Sequence, residues 1–368
     1  MRTSSRAKRR LSPHLFFAAL GLGVLLVVSV AAAMPGAVKQ QTLATRGSVL
    51  ALAADGDRVA LVVRSSSSTR FNPVCAGVVV WEPIRRRVVR LQRPCGAQCC
   101  TEETQGVTLA GTRAAWLSRH VGGSTLTTTV ATATLARRKP VVLAYQESSV
   151  DFHDGDFALR PVGDGTLLAF TLDRRCNDQG SWGPCPPGRE SGDIVDATVW
   201  RVDGQGRCPY QRPPSGGCSR VAHADGELSV LAVDTGRIAV RTDNGVSLLT
   251  ATGRVLQDFA VKARTAALSG NRLAVRRAGA VEVYDTDSGE LTAQFHAVPS
   301  LRLEDLDGGI LVTASGRMVT LRRLGDGRMR TIRTAGIAHA QLERPGLFVA
   351  AGRRVTFTPM RDVLRRLG

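Results

Sequence analysis

The chain has 368 residues, of which 43% are hydrophobic and 22% are charged. This balance is typical of a folded globular protein and excludes a disordered or fibrous one. The formal net charge is +18, almost all of it from arginine, because only four lysines occur. The arginines are scattered along the sequence without interleaved aromatic residues, so the composition does not indicate nucleic-acid binding.

Residues 1–37 have the organisation of an export signal. A basic segment that includes Arg2, Arg6 and Lys8 precedes an uncharged apolar run from Leu15 to Met34. The alanines at residues 31–33 supply a small-residue cleavage site, as in a secretory signal peptide. The apolar run of about 20 residues is also long enough for an uncleaved membrane anchor. Either alternative places the rest of the chain outside the cytoplasm, with membrane contact only through this N-terminal segment.

From residue 38 to the C-terminus, the sequence repeats one short unit. In residues 266–295, four runs of branched or alternating residues are separated by Gly, Asn or Asp, as in four antiparallel strands joined by tight turns. The second run of each copy follows a turn glycine. These glycines are Gly56, Gly111, Gly165, Gly236, Gly270, Gly309 and Gly346. The copies recur about every 35 residues in the C-terminal half and lie further apart before it, which indicates insertions in the earlier copies.

The segment VEVYDTDSGEL at residues 281–291 resembles the third strand and hairpin of WD40-like and quinoprotein-like blades of the β-propeller superfamily. The resemblance covers residues 38–368 as architecture. The Trp-Asp dipeptide is absent, since Glu82 follows Trp81 and Arg201 follows Trp200, and no cofactor or family site residue is implied. Seven copies predict an all-β fold, a seven-bladed β-propeller of four-stranded antiparallel blades, preceded by an N-terminal apolar helix.

The two ends of the repeat region predict how the ring closes. Residues 354–358 provide the last strand after the seventh repeat, so that blade lacks its outermost strand. Residues 38–46 form an extended segment before the first inner strand at residues 49–53. We expect this segment to fill the gap, because an open seam would expose strand edges; a plain linker is the alternative. Residues 363–367 predict a final helical turn.

Eight cysteines in an exported chain predict disulfides. They are Cys75, Cys95, Cys99, Cys100, Cys176, Cys185, Cys208 and Cys218. On the predicted blades, all eight fall in connections that emerge on one face. We expect the pairs Cys176–Cys185 and Cys208–Cys218, and a bridge from Cys75 to the later trio. Zinc bound by that trio is the alternative, which the oxidising compartment and the lack of a Cys-x-x-Cys pair disfavour.

Few other residues could carry chemistry. The Asp-Thr-Gly at residues 234–236 matches the aspartic-protease motif but falls at a hairpin turn, where Asp and Gly serve the backbone. The loop at residues 151–156 makes Asp154 and Asp156 candidate ligand-binding residues, although it lacks EF-hand spacing. Trp182 is a candidate for a sugar-binding surface. The sequence predicts no metal site and no cofactor, and it contains no common catalytic motif.

Two classes of function remain open. The first is a non-catalytic extracytoplasmic scaffold that binds a ligand or protein through the disulfide-braced loop face; its partner would be a protein, a glycan or another anionic cell-envelope ligand. The second is a propeller enzyme, a glycoside hydrolase or lyase, acting at the central channel through two facing carboxylates. The candidate carboxylates are Asp154, Asp156, Asp178, Glu190 and Glu304. The lack of a catalytic motif favours the scaffold, either secreted or anchored by its N-terminal segment.

Overall fold

The structure is a computed structural model that describes residues 39–64, 76–92, 102–149, 155–178, 184–204, 208 and 217–368. The predicted leader, Cys75, the trio from Cys95 to Cys100, Asp154 and Trp182 lie outside the described residues. The described part consists of β-strands and one C-terminal helix, α1 (Met360–Leu367). Within that part, no helix combines the length and the apolar character needed to cross a membrane.

The strands form antiparallel sheets, most of which contain four consecutive strands. After an initial strand, β1 (Gln41–Ala44), the first sheet contains β2 (Val49–Asp55), β3 (Arg58–Arg64), β4 (Ala76–Glu82) and β5 (Arg87–Arg90). A nine-stranded sheet follows, with β6 (Glu102–Ala110), β7 (Arg113–Gly122), β8 (Thr125–Thr134), β9 (Val141–Ser149), β10 (Gly155–Ala158), β11 (Val162–Asp164), β12 (Leu167–Arg175), β13 (Ile194–Val202) and β14 (Cys218–Ala224).

Four further sheets complete the fold, three of them built from uninterrupted runs of strands. The next sheet contains β15 (Leu228–Asp234), β16 (Arg237–Thr242), β17 (Gly245–Thr250) and β18 (Val255–Phe259). It is followed by β19 (Thr265–Ser269), β20 (Arg272–Arg277), β21 (Ala280–Asp285) and β22 (Leu291–His296), and then by β23 (Arg302–Asp307), β24 (Ile310–Ser315), β25 (Met318–Arg323) and β26 (Met329–Arg333). The last sheet joins β27 (Ala338–Glu343), β28 (Gly346–Ala351) and β29 (Arg354–Pro359) to β1.

The nine-stranded sheet consists of two groups of strands that meet at β10. Strand β10 pairs with β12 over four residues but with β9 only through Gly155 and Ser148. Gly155 has a φ of 105°, and a Cβ there would lie 2.7 Å from the Ser148 Cα, so the close approach requires glycine. Strand β11 resumes the pairing with β12 beyond Pro161, which has no amide hydrogen to donate.

The second strand of each repeat forms the buried centre of its sheet. The turn glycines correctly predicted the starts of these strands, which are β3, β7, β12, β16, β20, β24 and β28. Their central alanines, such as Ala60, Ala239 and Ala274, are fully buried, and small side chains there let neighbouring sheets pack closely. Hydrophobic clusters lie between successive sheets, and the cluster with Trp81 and Phe348 joins the first sheet to the last.

The first strands of the sheets contact one another in ring order. The order is β2, β6, β11, β15, β19, β23, β27 and then β2 again. Strands β6 and β11 both belong to the nine-stranded sheet, one in each of its two groups. Strand β1 pairs antiparallel with β29, from Gln41 opposite Phe357 to Ala44 opposite Arg354. The predicted closure is therefore confirmed, and the last sheet has no open outer edge at β29. The predicted C-terminal helical turn is also present as α1, which buries Val363 and Leu367 one turn apart.

The strand ends define two faces of the ring. We call one the hairpin face; it carries the turns from first to second strand, such as Gly308–Gly309, and from third to fourth strand, such as residues 324–328. We call the other the connection face; it carries the turns from second to third strand, such as residues 316–317, and the links between sheets, such as residues 334–337.

Candidate functional site

A cavity of about 330 Å³ lies at the centre of the ring, where the first strands of successive sheets meet. Its charged lining residues are Arg160, Asp164, Asp234, Glu304, Asp305, Asp307 and Glu343. Carboxylates outnumber cations here, although the chain as a whole is strongly basic. The centre of the ring is therefore electrostatically distinct from the rest of the protein.

Most of these carboxylates occupy one repeat position, the last residue of a first strand. The acidic residues at this position are Asp55, Asp164, Asp234, Asp307 and Glu343. All first strands run toward the hairpin face, so the five side chains gather around the cavity mouth on that face. We call this set the carboxylate ring.

Each member of the carboxylate ring accepts a hydrogen bond from the hairpin of a neighbouring sheet. The pairs are Asp55 with the Gly111 amide, Asp164 with the Thr235 amide (3.4 Å), Asp234 with the Gly270 amide (2.7 Å), Asp307 with the Ser269 hydroxyl (3.4 Å) and Glu343 with the Gly56 amide (3.1 Å). Turn amides that strand pairing leaves free thus find partners across the boundary between sheets. These five bonds cross every boundary between sheets except the one between β23 and β27.

Two further carboxylates repeat this arrangement deeper in the cavity, on β23. The Leu342 amide donates to Asp305 Oδ2 at 2.8 Å, and the Ala340 amide donates to Glu304 Oε2 at 3.3 Å. Arg302 Nε donates to the other oxygen of Glu304 at 2.6 Å. These bonds join β23 to β27, so they too cross from one sheet to the next.

Burial changes the proton affinity of the cavity carboxylates. It raises the pKa of Glu343 to about 9, with a further contribution from the negative charge of Asp305. Burial likewise raises the pKa of Asp305 to about 7 and that of Asp164 to about 6. Burial opposes ionisation of Glu304 as well, but hydrogen bonds from His339 and Arg302 outweigh it and leave its pKa below the ordinary value.

With a pKa raised to about 9, Glu343 keeps its proton at neutral pH while its carboxyl oxygen accepts the hydrogen bond from the Gly56 amide. Arg160 extends into the same cavity, where desolvation lowers the pKa of its guanidinium and the charge of Glu304 opposes that shift. Among the described residues, no group of three or more His, Cys, Asp or Glu side chains is arranged to hold a metal ion.

No protein-family model and no curated protein sequence matches the chain. Solved structures do: a chain in the crystal structure of the mitotic checkpoint complex superposes with a TM-score of 0.52 at 11% identity, over 87% of this chain and 94% of that one. This fold is a β-propeller. Saccharomyces cerevisiae Sqt1 (TM-score 0.45, 11% identity, 86% of this chain and 97% of that one) and KlHsv2 with loop 6CD replaced by a Gly-Ser linker (0.46, 8%, 83% and 90%) also match the propeller.

The propeller separates the carboxylates that the sequence singled out for an enzyme. Asp156 lies on β10, is 5% exposed, and accepts a hydrogen bond from Arg174 Nε at 2.9 Å. Asp178 and Glu190 belong to the link between β12 and β13 on the connection face. Glu304 is the one member of this described set that reaches the central cavity.

Both predicted disulfides are present, but the prediction that the cysteines share one face is wrong. Cys176–Cys185 lies between β12 and β13, on the connection face. Cys208–Cys218 lies on the hairpin face, because Cys218 begins β14 and Cys208 belongs to the turn between third and fourth strands. The cause is a longer third-to-fourth turn than we expected, which moves the outer strand beyond Cys208. The propeller therefore has braced loops on both faces.

The sequence analysis did not identify the carboxylate ring, although a signal for it exists. An acidic residue stands directly before the hairpin glycine in Asp55-Gly56, Asp164-Gly165 and Asp307-Gly308. Of this set, the sequence analysis considered only Asp234 and interpreted it as turn chemistry within one hairpin. Their repetition at one position of the repeat, at the inner end of the first strand, indicates contacts between sheets.

Proposed function

We propose that the chain is an extracytoplasmic scaffold that binds a partner macromolecule and catalyses no reaction of its own. The observation that supports this proposal is the use of the central carboxylates. A glycosidase needs one carboxyl group free to donate a proton and a second free to attack the sugar or activate water. The described carboxylates at the propeller centre instead hold amides and a hydroxyl of the neighbouring sheets. Their role is to stabilise the ring.

The proposal includes a specific organisation of the chain. Residues 1–37 would act as a signal peptide or membrane anchor, and residues 38–368 as one propeller of seven blades. The count of seven treats the nine-stranded sheet as two blades, since only Gly155 and Ser148 pair across them. The disulfides Cys176–Cys185 and Cys208–Cys218 support an oxidising compartment outside the cytoplasm.

A protein is the partner that this scaffold favours. Turns and links of different lengths project from a rigid ring on both faces, which is the usual location of binding residues. A glycan or another anionic cell-envelope ligand would remain the alternative partner. Carbohydrate surfaces generally present aromatic side chains, and aromatic residues make up only 5% of this chain.

Site-specific photo-crosslinking in the producing cell tests the proposal. A crosslinking amino acid would replace Ile337 on the connection face or Ile84 on the hairpin face, both exposed. We expect one discrete crosslinked protein from one of the two faces. In parallel, the purified chain and its Glu304→Gln variant would be assayed on a panel of cell-wall polysaccharides. Turnover by the wild type that the variant loses, with no crosslink at either position, would overturn the scaffold function.

A further inference from the structure

Basic residues that are scattered in the sequence come together on one part of the connection face. They lie in the links and turns of the last three sheets and at the entry to the first. The members are Arg46, Lys262, Arg264, Arg317, Arg333 and Arg353, and each is exposed. We call this set the cationic arc. None of the six has a side-chain hydrogen bond or ion pair with another described residue.

Backbone hydrogen bonds join the segments of the cationic arc into one continuous surface. The bonds run from Arg264 N to Arg276 O (2.7 Å), Ala297 N to Gly279 O (2.9 Å), Ala338 N to Gly316 O (3.0 Å), Thr334 N to Arg317 O (2.9 Å) and Thr45 N to Arg353 O (2.8 Å). The Ser300 and Ser315 hydroxyls lie 2.9 Å apart and join the segment 296–301 to the turn at 315–318. A partner could therefore contact the whole arc at once.

No acidic residue interrupts this part of the face. The segments 45–48, 260–264, 277–280, 296–301, 315–318, 333–337 and 351–354 contain neither Asp nor Glu. Acidic residues of the connection face such as Asp225, Glu227 and Asp243 belong to the sheet before the arc, in the link that precedes β15 and in the turn between β16 and β17. The cationic arc is a property of the fold, because Arg46 joins the other five residues only when β1 pairs with β29.

The arc also places like charges close together. Burial lowers the pKa of Arg276, and the adjacent positive charge of Arg264 lowers it further. The guanidinium of Arg276 is occupied, since it donates to the carbonyl oxygens of Leu301 and Val298. Arg264 has no such partner among the described residues, so its charge is available to an anion.

Three apolar side chains lie among these cations. Ile337 is 65% exposed, and Met318 and Val298 are each 45% exposed. They belong to the same links and turns as Arg333, Arg317 and the 296–301 segment. Covering apolar side chains that are this exposed to water would make a favourable contribution to the free energy of binding a partner.

We propose that the cationic arc, with Ile337, Met318 and Val298, is the docking surface for an acidic and partly apolar segment of a protein partner. This inference rests on the scaffold function and specifies its site and the chemistry of its partner. Carboxylates of the partner would form bidentate pairs with the arginines, and its apolar side chains would cover the three exposed ones.

The composition of the surface favours a protein over a membrane or a polyphosphate. Protein interfaces are enriched in Arg and Met and depleted of acidic residues, and the arc combines arginines with Met318 and contains no Asp or Glu. A membrane surface would attract Lys and Arg alike, and its contacts usually include Trp or Tyr anchors, which these segments lack. A polyphosphate would leave the apolar side chains uncovered.

The test compares four probes on the purified full-length chain. They are a labelled 20-residue peptide of Glu, Asp and Leu, poly-glutamate of equal charge, polyphosphate, and vesicles containing phosphatidylglycerol. Fluorescence anisotropy or co-sedimentation would give each affinity at two salt concentrations. We expect the Leu-containing peptide to bind more tightly than poly-glutamate, and the affinity of both to fall as salt rises. Tighter binding of vesicles or polyphosphate than of the peptide would overturn the proposal.

Matched charge reversals locate the binding. The test variant is Arg317→Glu/Arg333→Glu/Arg353→Glu, and the control is Arg86→Glu/Lys139→Glu/Arg254→Glu. The control residues are also exposed but lie in third-to-fourth turns on the hairpin face. We expect the test variant to weaken peptide binding at least tenfold and the control less than threefold. An equal loss in both would show attraction by net charge alone and would overturn the assignment.

Two further measurements keep the test decisive. If the triple variant fails to fold, single Arg→Gln variants at the same positions replace it, each with an expected loss of about threefold. Ile337→Ser should weaken binding of the Leu-containing peptide without changing that of poly-glutamate. A crosslinked partner found from the hairpin face alone would leave the scaffold function standing and refute the cationic arc. No crosslinked partner from either face, together with turnover that the Glu304→Gln variant loses, would refute the scaffold function itself.

Discussion

Replacing Glu343 by Gln should stabilise the ring at alkaline pH. The pKa of Glu343 is raised to about 9, mainly by burial. At pH 8 the unfolded chain has released this proton, whereas the folded chain still holds it. Folding therefore takes up a proton, and the stability that Glu343 contributes is full below its ordinary pKa and declines as pH rises toward 9. Glutamine carries no charge, and its amide oxygen can still accept the hydrogen bond from Gly56.

The size of the effect follows from the proton affinity. Each tenfold change in affinity corresponds to about 1.4 kcal/mol. Glu343 is half-buried at a cavity mouth, where water screens its charge, so we expect about 2 kcal/mol of the wild-type stability to be lost between pH 5 and pH 8. The Glu343→Gln variant should keep that amount, and its thermal midpoint at pH 8 should lie about 4 °C above the wild type.

The assay is thermal and urea unfolding at pH 5, 6, 7 and 8, followed by tryptophan fluorescence. Glu290→Gln is the matched control, because Glu290 is exposed in an outer turn and should leave the pH profile unchanged. Asp305 and Asp164 should leave a weaker slope of the same sign in the variant, since burial raises the pKa of both. A wild type whose stability rises from pH 5 to pH 8, or a variant with an unaltered profile, would refute the reasoning.

Three other perturbations address the fold. Gly155→Ala should lower the free energy of unfolding by about 2 kcal/mol in urea titrations. Gly56→Ala is the control and should lower it by about 1 kcal/mol, because a Cβ there meets open space. Equal losses would contradict the role of the close approach to Ser148. Deleting residues 38–46 should lower the thermal midpoint and cause association in light scattering, because β29 becomes an open edge; an unchanged monomer would argue against closure by β1. Reduction of Cys176–Cys185 should cost about 3 kcal/mol, so reductant should lower the midpoint of the wild type more than that of a Cys176→Ser/Cys185→Ser variant.

The elements set by local sequence were predictable. A turn glycine followed by a short apolar run is a property of one hairpin, and it located the start of the second strand in every repeat, from Arg58 to Gly346. Residues 38–46 could be assigned to the last sheet because an unpaired strand edge is costly wherever it occurs. The pairs Cys176–Cys185 and Cys208–Cys218 followed from their short separation.

Three features could not be predicted by considering each repeat separately: the face that carries Cys208–Cys218, the carboxylate ring and the cationic arc. The face of Cys208–Cys218 depends on where β14 begins, and strand boundaries are weakly encoded in a Gly- and Pro-rich turn. The carboxylate ring and the cationic arc each combine one or two residues per repeat. Asp164 and Glu343, or Arg46 and Arg353, become neighbours only after the ring has formed. Periodic counting of charged residues at each repeat position would have revealed the first of these sets.

The pairing of β1 with β29 has a consequence for how the chain matures. The two strands are roughly 300 residues apart, so this contact forms only after all the strands between them have been made. Until then β1 has no partner, and the ring stays open between its first and last sheets. A product that ends before Arg354 would be locally well folded through most of its length yet permanently open, and therefore a target for proteases.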